Sequence, residues 1–190
     1  MGDAASDLAL AELVAKQAIT EVVYRYCRGI DRVDRELVRN CYWPEATDEH
    51  GSFVGLRDDY ISWVFDKLLP RYTMSYHFIG NVLIDVDLAA GRAKSEAYGW
   101  SRHEMPSDNP AHNLTSGFRY VDDFERRPSL AEAVAPSSAE WRIRRRICTL
   151  EWVRRDDPAT WWAAPESHRR GQRDGTDVVY LPYLAEPDLT

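Results

Sequence analysis

The chain has 190 residues, 44% of them apolar and 29% charged, with a formal net charge of −7. That length fits one domain with a real core, the composition excludes wholesale disorder, and the acidic balance argues against a nucleic-acid partner held through phosphates. No apolar run reaches the roughly 18 residues of a membrane span, residues 1–3 lack the start of a secretory leader, and three cysteines without CxxC spacing fit a reducing cytoplasm.

Residues 8–30 carry Ile19, Val22, Val23, Tyr26, Cys27 and Ile30 at spacings of three and four. That predicts an amphipathic helix ending at Asp31, with Gly29 weakening its last turn. Asp34 is a good N-cap for a short helix to about Cys41, which Trp43-Pro44 stops. A short strand over residues 46–50 and a turn at Gly51-Ser52 follow. Residues 57–69 set Ile61, Val64, Phe65 and Leu68 on one face, predicting a third helix that Pro70 closes.

After Pro70 the chemistry becomes that of strands. Residues 72–86 are aromatic and β-branched, broken at Gly80-Asn81. Gly91 turns the chain into a strand over residues 92–103. Ala93, Ser95, Ala97, Gly99, Ser101 and His103 share one face; Arg92, Lys94, Glu96, Tyr98, Trp100 and Arg102 share the other. A row of small residues ending in a histidine suits the lining of a space that something else fills. Residues 106–110 read as a loop, 114–125 and 141–153 as strands, and the Ala/Ser/Pro-rich stretch 128–138 as an exposed hairpin loop. Helices first and strands after predict an α+β fold with a mostly antiparallel sheet over residues 1–153. The irregular tail, 154–190, is expected to pack on the domain or on a neighbouring subunit.

No Gly-rich phosphate loop, HExxH or GxSxG is present. The five histidines, His50, His77, His103, His112 and His168, form no pair at metal-ligand spacing, and no metal is expected. The candidates are polar residues at the ends of apolar elements. Asp31 reads as a surface or capping aspartate, or as a carboxylate placed for a purpose, since an acid at a helix C-terminus is mildly unfavourable. His77, inside Tyr76-His77-Phe78-Ile79-Gly80-Asn81, reads by itself as a core histidine bonded to a carbonyl. With His103 it points toward a site, because a histidine oriented by a carboxylate is a competent general base near neutral pH. Alternation puts Arg142, Arg144 and Arg146 on a solvated or subunit-contact face. It leaves Arg145 with Trp141, Ile143 and Ile147 as the arginine for a pocket. Trp43, Trp63, Trp100 and Tyr120 suit either a flat hydrophobic substrate or the core.

The segments Tyr24-Arg25-Tyr26-Cys27-Arg28-Gly29-Ile30-Asp31, Tyr76-His77-Phe78-Ile79-Gly80-Asn81 and Trp141-Arg142-Ile143 resemble the SnoaL-like family of the nuclear transport factor 2-like superfamily. The likeness covers about residues 12–153. It is to the branch that holds scytalone dehydratase, hexachlorocyclohexane dehydrochlorinase and bile acid dehydratase. The resemblance implies a cone-shaped barrel: N-terminal helices packed in a strongly curved, mostly antiparallel sheet around an internal pocket that works without metal or organic cofactor. It makes Asp31 and His77 the catalytic pair, His103 a second catalytic histidine and Tyr26 a catalytic tyrosine. His50, Arg145, Trp43, Trp100 and Tyr120 are left as substrate-binding candidates. Ile30 stands where scytalone dehydratase has a tyrosine, and its serine and asparagine are not recognisable around Phe118 and Tyr120. The implied activity is cofactor-free acid–base chemistry on a hydrophobic carbonyl or polyketide-like molecule: dehydration first, with isomerisation or aldol cyclisation as alternatives. A non-catalytic binding or assembly domain is the reading of a different class. Trp152, Trp161, Trp162 and Tyr180-Leu181-Pro182-Tyr183 exceed what a small cone covers, which predicts a homodimer or homotrimer.

Overall fold

The computed structural model describes residues 3–106, 113–128, 139–157, 165 and 167–181. Of the expected loop at 128–138 only Pro128 is described, in a strand; the rest of it, His112, Trp161, Trp162, Pro182 and Tyr183 lie outside the described residues.

Helix α1 runs Ala4–Asp31, its N-terminus capped by the Asp3 carboxylate. Its buried stripe, from Ala15 through Ile19, Val22, Val23 and Tyr26 to Ile30, is the one the spacing predicted. The helix ends in a Schellman turn: Val33 N–H donates to the Ile30 carbonyl at 3.3 Å and Asp34 N–H to that of Gly29 at 2.8 Å. Val33 sits at φ 56°. The left-handed region costs a side-chain-bearing residue about 1–2 kcal/mol relative to glycine, and the freer unfolded chain of glycine offsets roughly half of that. Val33→Gly is therefore expected to stabilise the protein by about 1 kcal/mol. An unchanged or lower urea midpoint would count against this.

Helix α2, Arg35–Arg39, is capped by Asp34, whose side chain accepts from Leu37 N–H. Gly29 lets it approach α1: a Cβ at that position would meet a Val38 methyl at 2.5 Å. Strand β1, Tyr42–His50, starts earlier than the sequence indicates and turns at Gly51 (φ 63°) into β2, Phe53–Leu56, which the sequence reading did not contain. Helix α3, Arg57–Trp63, continues as a π-turn over Val64–Leu68 and a 3-10 turn over Leu69–Arg71.

Four long strands follow: β3 Met74–Asp87, β4 Arg92–Glu104, β5 Leu114–Pro128 and β6 Ala139–Arg155. The sheet order is β2-β1-β6-β5-β4-β3, antiparallel except for β1 on β6. The sheet is curved and does not close, with α1 packed against it, so the expected α+β class stands. Gly80-Asn81, read as a break, is instead a bulge within β3: Ile79 pairs with Gly99 and Val82 with Ala97. The small face of β4 turns inward as expected. Gly99 leaves room for the Phe118 ring, whose nearest atom would lie 2.7 Å from a Cβ there. No helix among the described residues is long and apolar enough to cross a membrane.

Candidate active site

Asp31 is the last residue of α1, and β3 is an edge strand running beside that helix end. Its carboxylate takes His77 by two groups. Oδ2 accepts the backbone N–H at 2.9 Å, and Oδ1 lies 2.6 Å from Nδ1. Satisfying an otherwise open edge-strand N–H and an imidazole N–H offsets the cost of an acid at a helix C-terminus. Both side chains are nearly buried. With Nδ1 donating to an ionised Asp31, Nε2 carries the lone pair. The sequence separation is 46 positions, and the contact is the one the resemblance implies.

His103 stands beside them at the end of β4. Its Nδ1 lies 3.1 Å from Ser75 Oγ, its ring stacks on Tyr72 (4.6 Å, 24°), and it meets the His77 ring edge-on at 5.5 Å. Phe118 closes the apolar side, 5.9 Å from His77. A cavity of about 300 Å³ borders the pair and is lined by Tyr24, Cys27, Asp31, His77, Ile79 and Val179, among others. Burial first, then the neighbouring His77 and Arg173, lower the His103 imidazole to about 3, so it is neutral at physiological pH.

Tyr26, His50 and Tyr120 do not join this group. They belong to a second, deeper cluster centred on Arg146, which is fully buried. Arg146 donates Nε and Nη2 to the two oxygens of Asp122 at 2.8 and 2.7 Å, and its guanidinium lies between the rings of Tyr26 (4.1 Å) and Tyr120 (4.0 Å). The Tyr26 hydroxyl pairs with that of Tyr60, which reaches His50 Nδ1 at 3.5 Å. Asp48 accepts from Tyr42 at 2.7 Å and lies 3.4 Å from His50 Nδ1. Burial opposes a charge on His50, but Cys148 and then Asp48 outweigh it and raise the imidazole to about 10. Burial lifts the Tyr26 phenol far above its ordinary range even against the Arg146 charge. It therefore stays protonated and bonded away from His77.

The two shifted histidines give stability opposite pH dependences. His103, lowered in the fold, removes stability as pH falls below the unfolded value of about 6.5 and continues to do so toward 3. His50, raised in the fold, contributes fully below about 6.5, and that contribution is lost as pH rises through 10. Replacing His103 by asparagine is thus expected to flatten the acid limb of the stability curve and His50→Asn the alkaline limb. Urea midpoints across pH that keep both limbs unchanged would contradict these assignments.

Three further expectations need correction. Arg145 is exposed and outside the pocket, and Arg146 is inside. The cause is a bulge at Arg144: Asp123 pairs with Arg145 but Phe124 with Ile143, so one extra residue inverts the alternation. Trp43 is closed off from a substrate, its indole N–H donating to the Glu125 carbonyl at 2.9 Å and its ring flanked by Arg127 and Arg142. Trp100 lies on the outer sheet face with Tyr76 and Phe78. The sequence reading passed over Asp48, Tyr60 and Asp122 as site residues, and it put Arg146 on a solvated or subunit-contact face. One signal was available for the last two. Phe118, Tyr120 and Phe124 alternate on an inward face, and Asp122 falls on it, which calls for a buried cation. No group of three or more metal-ligating side chains stands together among the described residues.

The model of the SnoaL-like domain matches residues 11–147. Among solved structures, a type 2 hexachlorocyclohexane dehydrochlorinase shares 14% identity at a TM-score of 0.68, over 84% of this chain and 99% of that one. The type 3 dehydrochlorinase of Novosphingobium barchaimii shares 14% at 0.67, over 83% and 99%. A putative scytalone dehydratase from Novosphingobium aromaticivorans shares 14% at 0.62, over 84% and 97%. At such identities the likeness is one of fold. No curated protein matches the chain significantly.

Proposed function

The chain belongs to the SnoaL-like domain family, and on that premise we propose that it is a lyase of the dehydratase type, acting on a small hydrophobic carbonyl compound. The observation that carries the reading is the Asp31–His77 pair: a carboxylate fixes Nδ1 of the imidazole and the backbone N–H beside it, and both residues line a cavity. In the proposed step His77 Nε2 takes the proton from the carbon next to the carbonyl, and Asp31 stabilises the resulting imidazolium. The enolate electrons form the new carbon–carbon double bond as the β carbon–oxygen bond breaks. The departing hydroxyl takes the proton from the His77 imidazolium and leaves as water. His103, being neutral, serves as a hydrogen-bonding partner of that hydroxyl rather than as the acid. Tyr26 acts from the deeper cluster, by holding Tyr60 and Arg146 in place. Isomerisation and aldol cyclisation share the enolate, and the product distinguishes them.

The test uses a panel of cyclic aryl β-hydroxy ketones in D2O. The expected result is enone absorbance, with deuterium at the α-carbon of recovered substrate where the enolate is reprotonated before the hydroxyl departs. Exchange without enone points to an isomerase or cyclase. A folded protein that catalyses neither on any member overturns the enzyme reading in favour of a binding domain.

We also propose a homodimer or homotrimer. Tyr76, Phe78, Tyr98, Trp100 and Trp152 are exposed together on the outer sheet face. Contiguous aromatic surface of that kind favours association. Light scattering that gives a monomer at micromolar concentration rejects it.

A further inference from the structure

The chain beyond the family match contributes to the dyad site through residues 167–181. Asp177 anchors this segment: its carboxylate is buried, accepts from Gln172 N–H at 2.7 Å and Val179 N–H at 3.0 Å, and pairs with Arg32 Nε at 3.1 Å. Tyr180 adds a hydrogen bond to Asp34 at 3.1 Å. The segment is thereby tied to the chain just past the end of α1, one and three residues beyond Asp31. Val179 lines the same cavity as Asp31 and His77.

Four residues before Asp177, Arg173 reaches the other side of the site. Its guanidinium donates to the carbonyl oxygens of Tyr72 and Leu69, and its Nε is buried without a partner. Tyr72 is the residue whose ring stacks on His103. Among the described residues no carboxylate pairs with Arg173, whereas Arg146 is neutralised by Asp122. An arginine stays charged at every physiological pH. A cation hydrogen-bonded only to carbonyls, partly shielded from water, projects its field into the adjoining space. That field reaches both neighbours: Arg173 lowers the His103 imidazole, after burial and His77, while burial works against the charge on Arg173 and Asp31 partly offsets it.

We propose that Arg173 is a positioning and selectivity residue of the Asp31–His77 site, fixing Tyr72 against His103 and favouring ligands whose oxygen is anionic, such as a phenolate or enolate, over their neutral forms. The inference rests on the reading of the dyad as the reacting centre. Arg28 and Arg32 line the cavity itself, and Arg173 adds a cation from the C-terminal segment on the Tyr72–His103 side.

The test compares two ligands, 4-nitrophenol and 4-nitroanisole, with wild-type protein, Arg173→Gln, Arg173→Lys and His77→Ala, using thermal unfolding as the folding control. Phenolate absorbance across pH gives the ionisation midpoint of bound 4-nitrophenol. Wild-type protein is expected to lower it by about one unit, a roughly tenfold preference for the anion. Arg173→Gln is expected to lose that preference while binding 4-nitroanisole as before, and Arg173→Lys to restore most of it. In the same Gln variant the NMR titration of the His103 ring is expected to move up by about one unit. The proposal is overturned if wild-type protein shows no preference or binds neither ligand, if Arg173→Gln retains the preference, or if it loses both ligands equally, which is a structural role alone. Preference lost in His77→Ala but kept in Arg173→Gln leaves the dyad reading standing and removes Arg173. Both ligands bound normally by His77→Ala, with the preference lost only in Arg173→Gln, keeps Arg173 as an anion-selecting residue but removes the dyad from the binding site.

Discussion

His77→Ala is expected to lower turnover of a β-hydroxy ketone by about 10³-fold or more while the protein stays folded, because it removes the proposed base. Asp31→Asn is expected to lose most of the same activity by a different route. Its oxygen can still accept the His77 N–H, but its NH2 faces Nδ1. That forces Nδ1 to accept, moves the ring proton to Nε2 and removes the lone pair from the reacting side. The two losses are expected to be far from additive, since the carboxylate acts only through the imidazole. Single-turnover rates with circular dichroism as folding control measure both. A folded His77→Ala protein that turns over at the wild-type rate removes His77 from the mechanism.

The second large effect is on stability. Arg146→Met leaves the Asp122 carboxylate fully buried and unpaired, a loss on the order of 3–5 kcal/mol. It also withdraws the guanidinium from between Tyr26 and Tyr120. Arg146→Met combined with Asp122→Leu is expected to recover most of that loss, because apolar replacement of a whole buried pair is often neutral or better. Urea unfolding of the single and double variants decides it. A single variant as stable as wild type would mean that water or another cation already compensates Asp122.

The sequence and the structure agree where the deciding pattern is local. The α1 stripe, the Asp34 cap, the small inward face of β4 and the helices-then-strands order are all readable at periods of 3.6 and 2, since each element buries one face. The pairing of Asp31 with His77 was legible only through the resemblance. Nothing in the spacing brings a helix end to an edge strand 46 positions later. Asp122 was visible as a carboxylate on an apolar face, but its partner was not.

The sequence by itself determined the helices and the long strands, though not β2, and the buried faces of α1 and β4. Tertiary structure alone decided which arginine is inside and what the tail does. A bulge at Arg144 inverts the side-chain alternation of strand β6, which pairs with β5 on one side and with the distant β1 on the other. The tail has no periodicity to read. Its place comes from a few polar contacts, Arg32 with Asp177, Tyr180 with Asp34 and Arg173 with two carbonyls, whose partners lie roughly a hundred or more residues earlier in the chain. Contacts of that range have no local signature, because the free energy that fixes them arises only once the sheet and helices have brought both ends together.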